Sequence, residues 1–463
     1  MLTISHGHRR GFLKIGTAAF GGLTLANLLQ AKATAAASGG SFLRDRAVVV
    51  LNLQGGPTQF ETFDPNMQAP REIRSITGEI STSLPGITFG GTLPKLAALA
   101  DSLAVIRSYR HGISSHGPAA MHVMAGGNPT GAQMGSIYSR IAGLTDPQSG
   151  MPRNMLVTAH AVGDEFKKKK LYTNVGRLSQ TGTLPDVYRP FDPSAGGEIV
   201  DNMKLRIARN RLDDRRGLLN GLDSLRRQYS DTGLADASGS FQQQAFDVLL
   251  KGVARAFDLG QETPETLARY DTSMMETTDA VKKRNSYGAM FSPVALGRQM
   301  LFARRLIESG CGFVTVGNGG WDMHGGGKEF RVDDGLATLL PAVDKAASAF
   351  IEDIQQRGLS EKVLLVITGE FGRTPRINKN GGRDHWGNLC TLAFAGGGLK
   401  TGQVVGRSDR TGSRPASQPI SSSQVLSTIM HSLFDIGQLR VQADLPKDLE
   451  QIVVNQQPIP ELF

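Results

Sequence analysis

Aspartate, glutamate and histidine recur just after apolar runs in the second half of the chain. Val363–Trp386 reads VLLVITGEFGRTPRINKNGGRDHW: a strand-like run, then Glu370, then a loop rich in glycine, arginine and asparagine, then Asp384-His385. Upstream, the run FVTVG leads into Gly319-Gly320-Trp321-Asp322-Met323-His324. Carboxylates and imidazoles together form the ligand set of a zinc- or manganese-type ion. Asp322 and His324, two residues apart in a glycine-rich turn, could chelate one ion, or could be polar residues of a surface loop. Glu370 could face the same centre or pair with Arg373 or Arg376. Asp384 could be a ligand, or could orient His385 from behind, as carboxylates do for ligating imidazoles. The expected cofactor is a divalent metal: zinc, manganese or calcium.

A second group lies earlier. In His111-Gly-Ile-Ser-Ser-His116-Gly-Pro118 a strand-like run passes into a helix pattern, with proline where helices start. The first turn of such a helix offers unpaired N–H groups and a positive dipole end to an anion. Ser114, Ser115 and His116 stand there. Ser115 and His116 are the candidates for catalysis; the alternative for both serines is helix capping. His122, inside the helix, reads as a packing residue. The first apolar run ends in QGGPTQFETFDP, where Gln54, Gln59, Glu61 and Asp64 are polar candidates; Glu61 and Asp64 could be ligands or could cap the turn before Pro65.

Elements able to position these residues are readable. Residues 47–53 (AVVVLNL) form a continuous apolar run, as a strand buried on both faces requires. Residues 103–109, 154–159, 312–317, 363–368 and 390–396 are similar. Helical patterns at 93–101, 116–126, 296–310 and 333–358 lie between them. This alternation predicts an α/β fold: one domain over 42–463, with a mostly parallel sheet and helices on both faces. Residues 195–295 carry charged helical text without a strand run, which predicts a helical insertion. In an open α/β sheet, ligands sit at the carboxyl ends of strands. Asp322, His324, Glu370, Asp384 and His385 should therefore converge there, with His116 across the crevice.

The first 37 residues read as an address. His8-Arg9-Arg10-Gly11-Phe12-Leu13-Lys14 is close to a twin-arginine export signal, with a glycine-containing apolar stretch and an AKATAAA cleavage region behind it. The expected location is periplasmic or extracellular, with no transmembrane span in the mature chain. Of the formal charge of +9, four positive charges lie in residues 1–37 and no acid does. Another cluster is Lys167–Lys170, a solvated loop or an anion-attracting rim. No aromatic interleaving points to nucleic acid. The two cysteines, Cys311 and Cys390, lie at apolar runs and read as core residues, with a disulfide as the alternative.

GGPTQFETFDP, the GGWDMH turn, TGEFGRTPRINKNGGRDHW and GGGLKTGQVVG together resemble the exported proteins of domain-of-unknown-function family 1501, over nearly the whole mature chain. That family is related to the alkaline phosphatase–sulfatase superfamily. The resemblance implies an alkaline-phosphatase-like fold and hydrolysis or transfer of phosphate or sulfate esters with metals at the strand ends. The carry-over is uneven. His116-Gly117-Pro118…Ala125-Gly126 occupies the helix-start pattern, so His116 stands at the nucleophile's place. Gln54 stands nearest the metal-binding aspartate of the first strand, and Phe371 replaces one imidazole ligand. Asp322, His324 and His385, with or without Glu370, would retain one metal site. Two functions are thus implied: a metal-dependent esterase on a cell-envelope or polymeric substrate, or a degenerate relative that binds an anionic glycan or a protein partner.

Overall fold

The computed structural model describes residues 41–167, 175–194, 256–275, 293–326, 330–442 and 445–463. Residues 1–37, read above as an export signal, and most of 195–295, read as a helical insertion, lie outside the described residues, as do Lys168–Lys170. Within 195–295 a 3-10 turn, Leu259–Gln261, and a short helix, Pro264–Tyr270, are described.

In chain order the strands are β1 (Ala47–Gln54), β2 (Glu79–Ser81), β3 (Thr88–Gly90), β4 (Leu103–Ile106), β5 (Asn154–Val157), β6 (Phe313–Gly319), β7 (Val363–Gly369), β8 (Gly372–Arg373), β9 (His385–Trp386), β10 (Leu392–Gly396) and β11 (Gln403–Val405). The helices that matter below are α1 (Pro94–Ala98), α2 (His116–Ala125), α3 (Met134–Ala142), α4 (Pro293–Glu308), α5 (Val332–Gln356) and α6 (Ser422–Leu433).

The main sheet has the order β11-β4-β10-β7-β1-β6-β5. β1 lies inside it, parallel to β6 on one side and β7 on the other. Every residue of β1 is buried, which explains its unbroken apolar run. Val49, Leu51 and Leu53 face a core built with α4 and α5. Val48 and Val50 face a second core with α2, α3 and α6. Helices therefore cover both faces, as the alternation predicts. α6 opens with a capping box in which Ser421 and Gln424 exchange hydrogen bonds, a start that its SSSQ text encodes.

One strand departs from the parallel pattern. β10 runs antiparallel to both β7 and β4. Between β7 and β10 the chain makes only the β8–β9 ribbon and no crossover helix, and such a connection returns the chain in the opposite direction. That helix-free return is also the loop that carries Asp384 and His385. Cys311 and Cys390 are both free and buried, so the core reading holds and the disulfide does not form. Among the described residues, no helix is long and apolar enough to cross a membrane.

Candidate metal centre

β6 and β7 flank β1 and end level with it, at Gly319 and Gly369. The turn after β6 carries Asp322 and His324, and the residue after β7 is Glu370. The β8–β9 ribbon places Arg373 opposite His385. The two glycine-rich loops touch backbone to backbone, with Gly325 bridged to Gly381. A Cβ on Gly382 would overlap the carbonyl of His324, so this approach requires glycine. α2 starts at the same end of the sheet and contributes His116.

The result is a cluster of His116, Asp322, His324 and His385, whose potential ligand atoms all lie within 4.8 Å of one another. His324 Nε2 is 2.9 Å from Asp322 Oδ1, and His385 Nε2 is 3.2 Å from the same oxygen. His116 Nε2 is 3.2 Å from Asp322 Oδ2. The two Nε2 atoms of His324 and His385 are 2.8 Å apart.

The far side of each ring is equally defined. His116 Nδ1 donates to Glu370 Oε2 at 2.6 Å, His324 Nδ1 to Asp384 Oδ1 at 2.9 Å, and His385 Nδ1 to the Ser114 carbonyl at 3.0 Å. Carboxylates and carbonyls accept only, so each Nδ1 carries the proton and each Nε2 is turned to the shared centre. Glu370 and Asp384, both expected among the ligands, stand behind imidazoles instead, and His116, expected across the crevice, stands among the four. This is the arrangement by which an outer carboxylate or carbonyl fixes a metal-ligating imidazole.

Charge in the cluster follows from these contacts. Burial would raise the Asp322 carboxyl, but hydrogen bonds from His116 and His324 and the nearby Arg373 guanidinium hold it far below the usual carboxylate range. Burial disfavours the His116 cation, yet hydrogen bonds to Asp322 and Glu370 push it up to about 9. His324 is raised by Asp322, while burial lowers His385. A neutral His385, its one proton spent on Ser114, presents a lone pair to the Asp322 carboxylate. Lone pairs facing each other at this distance need a proton or a cation between them. The cluster could therefore hold a metal ion.

An aromatic ring and a buried guanidinium pack against the cluster. Phe371, fully buried, lies with its ring 4.4 Å from that of His385 and 5.1 Å from that of His116. Arg373, not singled out from the sequence except as a partner for Glu370, pairs with Asp322 at 2.8 Å. Gln59 holds Arg373 in turn: its Oε1 accepts from the Arg373 backbone N–H at 2.8 Å, and its Nε2 donates to the Arg373 carbonyl at 2.9 Å.

Other candidates lie elsewhere. Glu61 is buried against Arg383 at 3.2 Å, and Asp64 is 3.6 Å from Arg107. Both are structural ion pairs away from the cluster. Ser114 accepts from the Gly387 N–H through its hydroxyl. Ser115 occupies the N-cap of α2 in an extended conformation, and its side chain makes no capping hydrogen bond. Its exposed hydroxyl sits between two residues that touch the cluster.

No curated protein is significantly similar to the chain. Among solved structures it is similar to the phosphonate monoester hydrolase SpPMH from Silicibacter pomeroyi, at 12% identity over 90% of this chain and 76% of that one, with a TM-score of 0.33. It is similar to the PsFucS1 sulfatase from Pseudoalteromonas sp., at 14% identity over 93% and 76%, with a TM-score of 0.32. A third is Ps i-CgsB in complex with k-i-k-neocarrahexaose, at 9% identity over 88% and 74%, with a TM-score of 0.37. These likenesses are distant, and the roles of individual residues rest on this chain's own geometry. The match that covers the chain is to a family profile over residues 45–457, and the chain belongs to the family described as Protein of unknown function (DUF1501).

Proposed function

We propose that the chain is an exported, metal-dependent hydrolase or transferase of phosphate or sulfate esters, acting on an anionic ester or glycan of the periplasmic or extracellular space. The observation that carries this reading is the set of three imidazoles, each tied at Nδ1 and each aiming Nε2 at Asp322. Three nitrogens and a carboxylate suit zinc or manganese better than calcium, which takes oxygen ligands. When bound, such an ion polarises an ester oxygen and stabilises charge that develops on it.

His324, His385, His116 and Asp322 hold the ion in this reading, and Glu370, Asp384 and the Ser114 carbonyl fix the rings. Ser115 is the nucleophile candidate, since its hydroxyl is exposed at the start of α2 beside the cluster. Phe371 keeps water from the underside of the rings.

The second reading is binding of an anionic glycan or a protein partner without turnover. It is favoured by one feature: the residue at the expected nucleophile position, His116, is itself part of the cluster. Elemental analysis of the purified protein, followed by turnover of aryl phosphates and aryl sulfates with added zinc or manganese, separates the two. About one ion per chain with turnover is the expected result. An ion without turnover of any ester selects binding, and a protein that takes up no ion removes the metal-dependent reading.

A further inference from the structure

Beside the metal cluster, a cation and a helix end of the same sign are brought together. The 3-10 turn Val175–Ser179 places Arg177 against the first turn of α2. A Cβ on Gly117 would overlap the Arg177 guanidinium Nη1, so residue 117 has to be glycine for the guanidinium to lie there. The amino end of a helix carries partial positive charge, and cations are disfavoured at it. Nothing offsets this among the described residues: no carboxylate pairs with Arg177, and the Ser115 side chain does not cap the helix. The nearby acids, Asp322 and Glu370, are engaged with His116.

An independent feature lies on the same face of the sheet. Gln54, at the end of β1, is completely buried, yet neither its Nε2 nor its Oε1 has a hydrogen-bond partner among the described residues. A buried carboxamide without partners is costly, and such groups are rare in folded proteins. Gln54 projects to the side of the sheet covered by α2. Asn52, two residues earlier and therefore on the same face, donates to Met124 Sδ of α2. Gln54 Oε1 and the side chain of Leu178, the neighbour of Arg177, both border Gly317. The orphaned amide thus lies on the face of the sheet that α2 covers, and the Arg177 guanidinium lies at the start of that helix.

We infer that Arg177, Gln54 and the N-terminal turn of α2 form an anion subsite that takes a tetrahedral oxyanion, phosphate or sulfate, next to the metal cluster. This rests on the proposed esterase reading and adds to it the residues that recognise the charged group. The guanidinium offers paired N–H donors to two oxygens of the anion, the Gln54 amide donates to one, and the helix end supplies charge stabilisation.

The test uses the full-length protein loaded with zinc, with inorganic phosphate and inorganic sulfate as separate probes in calorimetric titrations. Metal content is measured on each sample. Arg177→Ala should keep its zinc and its thermal midpoint while binding the preferred anion roughly tenfold to a hundredfold more weakly, the range for losing charge-assisted hydrogen bonds. Arg177→Lys should recover part of the affinity, because the charge returns without the fork. Gln54→Leu should fold at least as well as the native chain and bind the anion several-fold more weakly. Native affinity in Arg177→Ala with zinc retained would overturn the subsite while leaving the metal reading intact. A native protein that takes up no zinc would overturn the metal reading. The same titrations on that metal-free protein would still decide the subsite: binding that depends on Arg177 supports it, and binding that does not depend on Arg177, or no binding, refutes it.

Discussion

Arg373 Nη2 donates to Asp322 Oδ1 across 2.8 Å, and the guanidinium making this contact is 1% exposed. The same group donates to the carbonyls of Gly55, Gly56, Trp321 and Arg383. It therefore ties the loops after β1, β6 and β7 to one another and holds Asp322 at the centre of the imidazoles. A guanidinium can do this because its five donors are fixed in a plane; an ammonium has three on a flexible stem.

Replacing Arg373 by Met should destabilise the fold by about 3 kcal/mol or more, since several buried carbonyls and one carboxylate lose their partner. Metal uptake should fall in parallel. Urea denaturation together with elemental analysis reads both effects. Arg373→Lys should recover little of either, and a lysine variant equal to native would mean that the loops are held by something other than the fork.

His324→Ala and His385→Ala should each lose metal and any esterase activity together. Circular dichroism should stay near native, because both side chains lie at the strand ends and outside the two cores. A variant that loses activity yet retains full metal content would show that its histidine acts in chemistry and not in holding the ion.

Much of this site was legible in the chain because strand ends are legible. Unbroken apolar runs at 47–53, 312–317 and 363–368 appear as β1, β6 and β7, adjacent and parallel. Polar residues just beyond them are then forced together by the spacing between strands. Two kinds of fact were not legible. The reversal of β10 depends on a connection that forms a ribbon instead of a helix, and β11 is too short for its three residues to form a run. The depth order within the site is the other: Asp322 and Glu370 both lie just beyond strand ends, yet one faces the imidazoles' Nε2 atoms and the other backs His116 Nδ1. That choice is made by the glycine turn after β6 and by Phe371, and no periodicity records it.

Removing the groups behind the rings should weaken the centre without dismantling it. Asp384→Asn and Glu370→Gln keep shape and remove charge, and each should lower metal affinity about tenfold to a hundredfold, the usual effect of losing an outer carboxylate. Asp384 is the cleaner test, being more exposed than the fully buried Glu370. Competition with a chelator of known affinity measures the change. Unchanged affinity in Asp384→Asn would detach that carboxylate from the role of orienting His324.

The pH dependence of the metal-free protein follows from His116. Its folded value is pushed up to about 9 from an ordinary 6.5, with burial opposed and outweighed by hydrogen bonds to Asp322 and Glu370. The folded state therefore holds the proton more tightly than the unfolded chain does. This contribution to stability is fully present below about pH 6.5 and is lost as the pH rises to about 9. His324, also raised by Asp322, acts in the same direction. A bound ion reverses the trend, because it requires Nε2 without a proton. Between pH 6.5 and 9, metal uptake should release protons and tighten as the pH rises. Denaturation midpoints in chelator should fall across this window, while midpoints in zinc should hold or rise. Parallel curves with and without zinc would mean that the ion, if bound, does not displace the His116 proton, and His116 would then be removed from the ligand set.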